Sequence, residues 1–252
     1  MQAALWGRRA RDWGEAQEPR QAEMYPPVLD AAGLAAGSEY LDVGCGTGVA
    51  AQVAHDRGAR VSGIDATEAF VELARERVPA GDFRTGEMEA LPYADGAFDV
   101  VTGFNSFQYA ADPARALGEA RRVSRGVVAL VTWGDAAECD TAACLAAIGS
   151  FLPPPPPGAA GPFALSAPGA LEALAARAGL EPVAAATYTT RWDYPDLETA
   201  LRATLASGPA GRAIDAGGED AVRAAITEAL GPFRTSAGSY VLENAWRYLV
   251  AR

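Results

Sequence analysis

The sequence predicts an α/β protein built on a doubly wound parallel sheet, and three observations carry the prediction. Apolar segments of strand length alternate with helical segments through residues 39–133. The segment 98–104 is apolar on both faces, as a central parallel strand covered by helices must be. A short strand also runs straight into a glycine-rich turn that opens a helix. With 252 residues, half of them hydrophobic, the chain is long enough for one domain with a substantial core plus added helices.

Residues 1–37 read as mainly helical and precede the sheet as an N-terminal cap. Strands are expected near 39–43, 60–64, 82–85, 98–104 and 126–133, with helices near 47–57, 67–77 and 112–122 between them and right-handed crossovers throughout. After Trp133 the regularity breaks. Residues 134–168 hold a short Ala-rich helix and the run Pro153 to Pro157, which reads as a stiff polyproline connector, a partner-binding tract being the alternative. A strand is expected over 180–192 and the last over 238–250. The stretch 195–233 between them is Ala-rich and helical, broken at Gly208-Pro209 and Gly217-Gly218.

The turn Gly44-Cys45-Gly46-Thr47-Gly48 sets the chemistry. Glycines there permit a tight turn and close ligand approach, while a helix starting near Thr47 aims its free N–H groups at the ligand. A dinucleotide site would read G-x-G-x-x-G; here the spacing is G-x-G-x-G and the acid Asp42 lies just before it, so NAD is the weaker reading. Asp65 ends the second strand, where a carboxylate can accept both hydroxyls of a ribose; a helix cap or a solvated acid is the plain alternative.

The wording Leu41-Asp42-Val43-Gly44-Cys45-Gly46-Thr47-Gly48 resembles motif I of the class I S-adenosylmethionine (SAM)-dependent methyltransferases, in the type 11, ubiquinone-biosynthesis-like small-molecule branch. The resemblance is strong over about residues 38–133. It implies a Rossmann-like seven-stranded sheet, six strands parallel and the last antiparallel, in a single domain spanning 1–252. The cap covers 1–37, and lid inserts cover 134–167 and 195–235. It further implies SAM as cofactor, S-adenosylhomocysteine as its product, and cofactor contacts from Asp42, Gly44, Cys45, Gly46, Gly48, Asp65 and Ala66. Glu87 and Met88 would meet the adenine, and carbonyls near Phe104 and Asn105 the methionine ammonium. Relatives often carry histidines just after this point, where this chain reads Phe107-Gln108-Tyr109.

No residue is assigned as catalytic. Trp13, Tyr25, Phe107, Tyr109, Trp133 and Trp192 are the candidates for lining an acceptor pocket, although aromatics in such segments also serve to pack the cap. A proton on the acceptor could leave to Asp193, Tyr25, Tyr109 or water. His55, on the helix after the glycines, reads as a surface residue.

The formal net charge of −11 disfavours a nucleic-acid substrate, since the 21 basic residues are dispersed and even Arg121, Arg122 and Arg125 read as a helix-end group. Three cysteines without C-x-x-C spacing offer no disulfide framework and no metal site, and Cys45 reads as a small packing residue. No signal peptide or membrane span is visible, so a cytoplasmic location is expected. The expected activity is methyl transfer to an oxygen, nitrogen or carbon atom of a small molecule. The Ala, Gly, Pro and Arg bias associates it with a high-GC bacterium and secondary metabolism. The rivals are a SAM-binding enzyme that transfers no methyl, such as a natural-product cyclase, and a non-catalytic regulatory or scaffolding protein.

Overall fold

In the computed structural model, which describes residues 2–154 and 161–252, the chain starts with two short helices, α1 (Gln2–Gly7) and α2 (Ala10–Asp12). A π-helical turn (Trp13–Gln17), a 3₁₀-helix (Glu18–Met24) and α3 (Tyr25–Ala31) follow without a break. Pro19, Pro26 and Pro27 sit in the first turns of successive helices, where a missing N–H costs nothing and the fixed φ suits the helix. The segment is mainly helical and precedes the sheet, and it is called the cap below.

The alternating unit comes next: β1 (Glu39–Val43), α4 (Val49–Asp56), β2 (Arg60–Asp65), α5 (Glu68–Arg77), β3 (Asp82–Thr85), β4 (Phe98–Phe104), α6 (Pro113–Val123) and β5 (Ser124–Trp133). These bounds lie within two residues of the expected ones. The Asp112 carboxylate caps α6 by accepting from the N–H groups of Ala114 and Arg115, with Pro113 at the first helical position. The first insert carries α7 (Thr141–Gly149) and leads to α8 (Ala170–Arg177) and β6 (Pro182–Tyr194). The second insert is three helices, α9 (Leu197–Leu205), α10 (Gly208–Gly217) and α11 (Glu219–Leu230), divided at the predicted glycines and followed by β7 (Tyr240–Ala251). Of the five-proline run, Pro155, Pro156 and Pro157 lie outside the described residues.

The strands form one sheet in the order β3-β2-β1-β4-β5-β7-β6, and β7 runs antiparallel to both of its neighbours. Alternation along each strand sends side chains to two cores. Tyr40, Val100 and Ala129 face one core with residues of α3, α4, α5, α7, α9, α10 and α11; Leu41, Val101 and Leu130 face the other with residues of α6 and α8. Strand order reverses between β1 and β4, and the crevice opens there, beyond the strands' carboxyl ends.

The cap is bound to the second insert by ion pairs. Arg8 pairs with Asp215 at 2.6 Å, Arg9 with Glu219 at 2.6 Å, and Arg202 with Asp12 at 2.6 Å and Glu15 at 2.5 Å. These pairs are partly to largely exposed, so solvent and salt screen them and each contributes little. Beneath them the buried Tyr194 hydroxyl donates to the Gln17 side chain at 2.8 Å, and the Arg20 guanidinium lies 4.5 Å from the Tyr194 ring centre.

Two tryptophans expected at a pocket are sealed in the core instead. Trp133 ends β5 directly opposite Trp246 on β7, and this register stacks the rings at 4.2 Å. Trp192 packs against both at 5.9 and 6.2 Å, and the Trp246 indole donates to Thr190. Phe107 is likewise buried, on the opposite face of the sheet, in space left by the missing side chain of Gly103. Replacing Trp133 with alanine is expected to lower stability by about 3–5 kcal/mol through the void left in the stack, with ligand affinity of the folded fraction unchanged. Urea denaturation and calorimetric titration of Trp133→Ala measure the two effects separately.

Candidate functional site

The turn after β1 is folded back on the end of β2. The N–H groups of Gly44 and Cys45 both donate to the Ile64 carbonyl, at 2.8 and 3.0 Å, and Gly46 N–H donates to the Asp65 carboxylate at 3.1 Å. Gly44 and Gly46 have φ of +73° and +52°, the left-handed region where a side chain is strained. Their immediate neighbours are protein: a β-carbon on Gly44 would strike Ser106, and one on Gly46 would lie 3.0 Å from the Glu18 carboxylate. Gly48 stands apart. It starts α4 with a β-carbon position 3.0 Å from that of Ala74, so it lets α4 and α5 pack and does not face the cavity, contrary to its expected place among the ligand contacts.

A cavity of 380 Å³ lies over this turn, within the ~300–1,000 Å³ range of small-molecule sites. Its floor is Asp42, Gly44, Cys45 and Gly46, with Phe104 and Asn105 from the end of β4. Asp65 and Ala66 follow from the end of β2, and Glu87 and Met88 from the loop after β3. The predicted polar set thus converges, Gly48 excepted. Of the six aromatic candidates, Trp13, Tyr25 and Tyr109 line the cavity, while Phe107, Trp133 and Trp192 do not. Asp193, considered as a base, is exposed and paired with Arg191 at 3.1 Å, outside the cavity.

Further residues complete the wall; of these, Phe70, Glu18 and Gln21 carry no local sequence signal, whereas Trp6 belongs with the aromatics of the N-terminal segment that could line a pocket. Trp6 and Phe70 join Trp13 and Tyr109 in one aromatic wall, with Trp6 edge-on to Trp13 at 4.9 Å and to Tyr109 at 5.8 Å. Glu18 and Gln21 reach in from the 3₁₀-helix of the cap. The Glu18 carboxylate accepts from the N–H groups of Thr47 at 2.9 Å and Val49 at 3.4 Å. The head of α4, whose N–H groups were expected to face the ligand, is therefore filled by the chain's own carboxylate, a form of helix capping made from 29 residues away in sequence. Arg77 closes the back of the turn by donating to the Thr47 carbonyl at 2.8 Å.

The cavity is acidic. Glu18, Asp42, Asp65, Glu87 and Glu89 line it, and among the described residues no arginine or histidine does. Burial raises the Glu18 carboxyl above its ordinary value, against the pull of the Thr47 and Val49 N–H groups and of Arg77. Asp42 is pushed up to about 7, chiefly by burial, with Glu18 and Asp65 adding to the rise and the Thr102 hydroxyl opposing it through a 2.9 Å hydrogen bond. Asp65 is raised by burial too, against hydrogen bonds from the Thr67 and Gly46 N–H groups. Burial also lifts the Tyr25 hydroxyl well above its ordinary value and that of Tyr109 to about 12, so both are protonated donors at neutral pH.

Comparison with known proteins agrees with this geometry. The family described as methyltransferase domain matches residues 41–130. The malonyl-[acyl-carrier protein] O-methyltransferase of Erwinia pyrifoliae is 30% identical over 208 residues, 82% of this chain and 75% of that protein. Against other curated relatives, among them the demethylmenaquinone methyltransferase of Renibacterium salmoninarum, the match spans only 32–41% of their length. Among solved structures, a candidate methyltransferase of Bacillus halodurans superposes with a TM-score of 0.60 at 18% identity, covering 91% of this chain and 98% of that one. The [4+2]-cyclase SpnF gives 0.54 at 24% identity, covering 90% and 80%. At these identities the structural likeness concerns the fold alone.

The raised carboxyls make ligand-free stability depend on pH. Below about pH 4 Asp42 holds its proton folded or unfolded; between there and about 7 only the folded state keeps it, so its contribution is lost as pH rises through about 7. The gap between 3.8 and about 7 corresponds to roughly 4 kcal/mol at most, and the rises at Glu18 and Asp65 act with the same sign. The urea midpoint of the ligand-free protein is expected to fall from pH 5 to pH 8. In Asp42→Asn, which keeps an acceptor for Thr102, the fall should be smaller; an unchanged slope would remove Asp42 as a source.

Proposed function

The chain belongs to the SAM-dependent methyltransferases, and on that premise we propose that it transfers a methyl group from SAM to an oxygen, nitrogen or carbon atom of a small molecule in bacterial secondary metabolism. The charge of the cavity is the observation that carries the reading. Five carboxylates and, among the described residues, no facing arginine or histidine favour a cationic ligand, and the sulfonium is a cation. A dinucleotide's pyrophosphate would instead meet Glu18, already seated on the head of α4.

In this reading Asp65 holds the ribose hydroxyls. Two of the roughly four lone-pair positions of its carboxylate are used by Gly46 and Thr67 N–H groups, which fix its orientation and leave the others free. Glu87 and Met88 meet the adenine, Gly44, Cys45 and Gly46 offer backbone along the sulfur-bearing chain, and Phe104 and Asn105 lie at its amino-acid end. Asn105 holds a left-handed φ of +52°, unusual for a residue other than glycine. Its side chain is tied to the amide of Gln108.

When bound, SAM supplies an electrophilic methyl on a sulfonium, open to in-line displacement. The chain's part is to align and to exclude water: Trp6, Trp13, Phe70 and Tyr109 wall the cavity, and alignment of this kind is worth roughly 7–11 kcal/mol. The Tyr25 and Tyr109 hydroxyls, held protonated by burial, can orient an acceptor but not deprotonate it. Removal of an acceptor proton falls to the raised carboxyls of the cavity or to water.

Incubation with SAM and a panel of phenols, amines and activated methylene compounds, followed by mass spectrometry, tests the reading. A product one methyl heavier, with matching release of S-adenosylhomocysteine, is expected; an isomeric product of unchanged mass would point to cyclisation instead. Asp65→Ala should weaken SAM binding about 10- to 100-fold, as loss of charged hydrogen bonds does, and equal affinity by calorimetry would sink the ribose assignment.

A further inference from the structure

After the 3₁₀ turn Phe107–Tyr109 the chain runs through Ala110 to Asp112 before α6 begins, and the N–H groups of Ala111 and Asp112 find no backbone acceptor among the described residues. They go to a side chain instead. The Glu89 carboxylate accepts from Ala111 at 2.7 Å and from Asp112 at 3.4 Å, both on Oε1, from 22 and 23 residues away in sequence. The grip is mutual. Arg115, in the first turn of α6, donates to the Glu89 carbonyl at 3.1 Å. Further along α6, Glu119 accepts from the Leu91 N–H at 2.9 Å, and Arg122 donates to the carbonyls of Leu91 and Tyr93, each at 2.9 Å. Residues 87–93 form neither helix nor strand, so these bonds to α6 fix their course.

Both sides of this clasp line the cavity: Glu87, Met88 and Glu89 on one, Tyr109, Ala110 and Ala111 on the other. The Tyr109 ring stands edge-on to Trp6 at 5.8 Å and completes the aromatic wall. The turn that carries it is a single one, closed by Tyr109 N–H on Ser106 at 2.9 Å and Ala110 N–H on Phe107 at 3.1 Å, and a piece so short does not hold its own place. Glu89 supplies the tie on its far side.

We propose that Glu89 is a positioning residue for the acceptor: by holding Ala111 and Asp112 it sets where Tyr109 stands, and with it the shape of the cavity beyond the cofactor. It acts through the loop and takes no part in holding adenine or ribose. On the SAM reading above, on which this rests and which it deepens, the stretch 87–93 carries both the adenine contacts and the clasp. The adenine side and the acceptor side of the cavity are thereby one mechanical unit.

Glu89→Ala and Glu89→Gln in the full chain test it, since glutamine keeps an oxygen for the Ala111 N–H and alanine keeps none. Hydrogen exchange over residues 107–112, read by mass spectrometry, should be about tenfold faster in Glu89→Ala and near that of the unaltered chain in Glu89→Gln. Calorimetric affinity for S-adenosylhomocysteine should stay within twofold in both, which also shows that they are folded. In turnover of the panel compound methylated fastest, KM for that compound should rise about tenfold in Glu89→Ala with KM for SAM within twofold, and Glu89→Gln should recover most of the loss. Unchanged exchange in Glu89→Ala, equal rises in both KM values, or a glutamine variant as impaired as the alanine one would overturn the proposal. If the unaltered chain bound no S-adenosylhomocysteine, the cofactor reading would fall instead, and exchange alone would still show whether Glu89 holds the loop.

Discussion

The seating of the Glu18 carboxylate on the first backbone N–H groups of α4 is the interaction on which the rest of the site depends. A carboxylate so deeply buried is expensive, and the cost is offset in part by two N–H donors, the positive end of the helix and the guanidinium of Arg77 nearby. It joins the cap to the glycine turn. From that joint the 3₁₀-helix lays Gln21 and Tyr25 over the crevice, and the preceding turn brings in Trp13 and hands Gln17 to Tyr194. The cap and the turn therefore form one connected wall, and the second insert braces the cap from outside it.

What could be read from the sequence follows from how local each signal is. The strands of residues 39–133 and the glycine turn announce themselves within a few residues, and Asp65 needs only its place at a strand's end. Gln21 and Glu18 have no such mark. Their position results from docking across nearly thirty residues of chain, and nothing about Glu-Pro-Arg-Gln in a helical segment distinguishes a cavity wall from a solvated face. Gly48 misled for the opposite reason: its spacing fits a ligand loop, yet its close neighbour is Ala74 on α5. The same holds for Trp133 and Trp192, whose burial depends on the register of β7, set more than a hundred residues after β5.

The electrostatics tie stability to turnover. A cavity that gathers carboxylates with no facing cation among the described residues stores repulsion and desolvation in the empty protein, which the sulfonium relieves. After transfer the sulfur is neutral, so the attraction that drew the ligand in is weaker for the product than for the substrate. An acidic cavity thus favours release without any moving part being required for it.

The five tryptophans of the chain divide cleanly between two environments. Trp133, Trp192 and Trp246 form one sealed cluster, and Trp6 and Trp13 stand edge-on at the cavity wall. Intrinsic fluorescence is therefore a two-channel signal: the cluster gives a constant background that reports whether the sheet is intact, while any quench or spectral shift on adding an adenosyl compound originates in the pair on the cap.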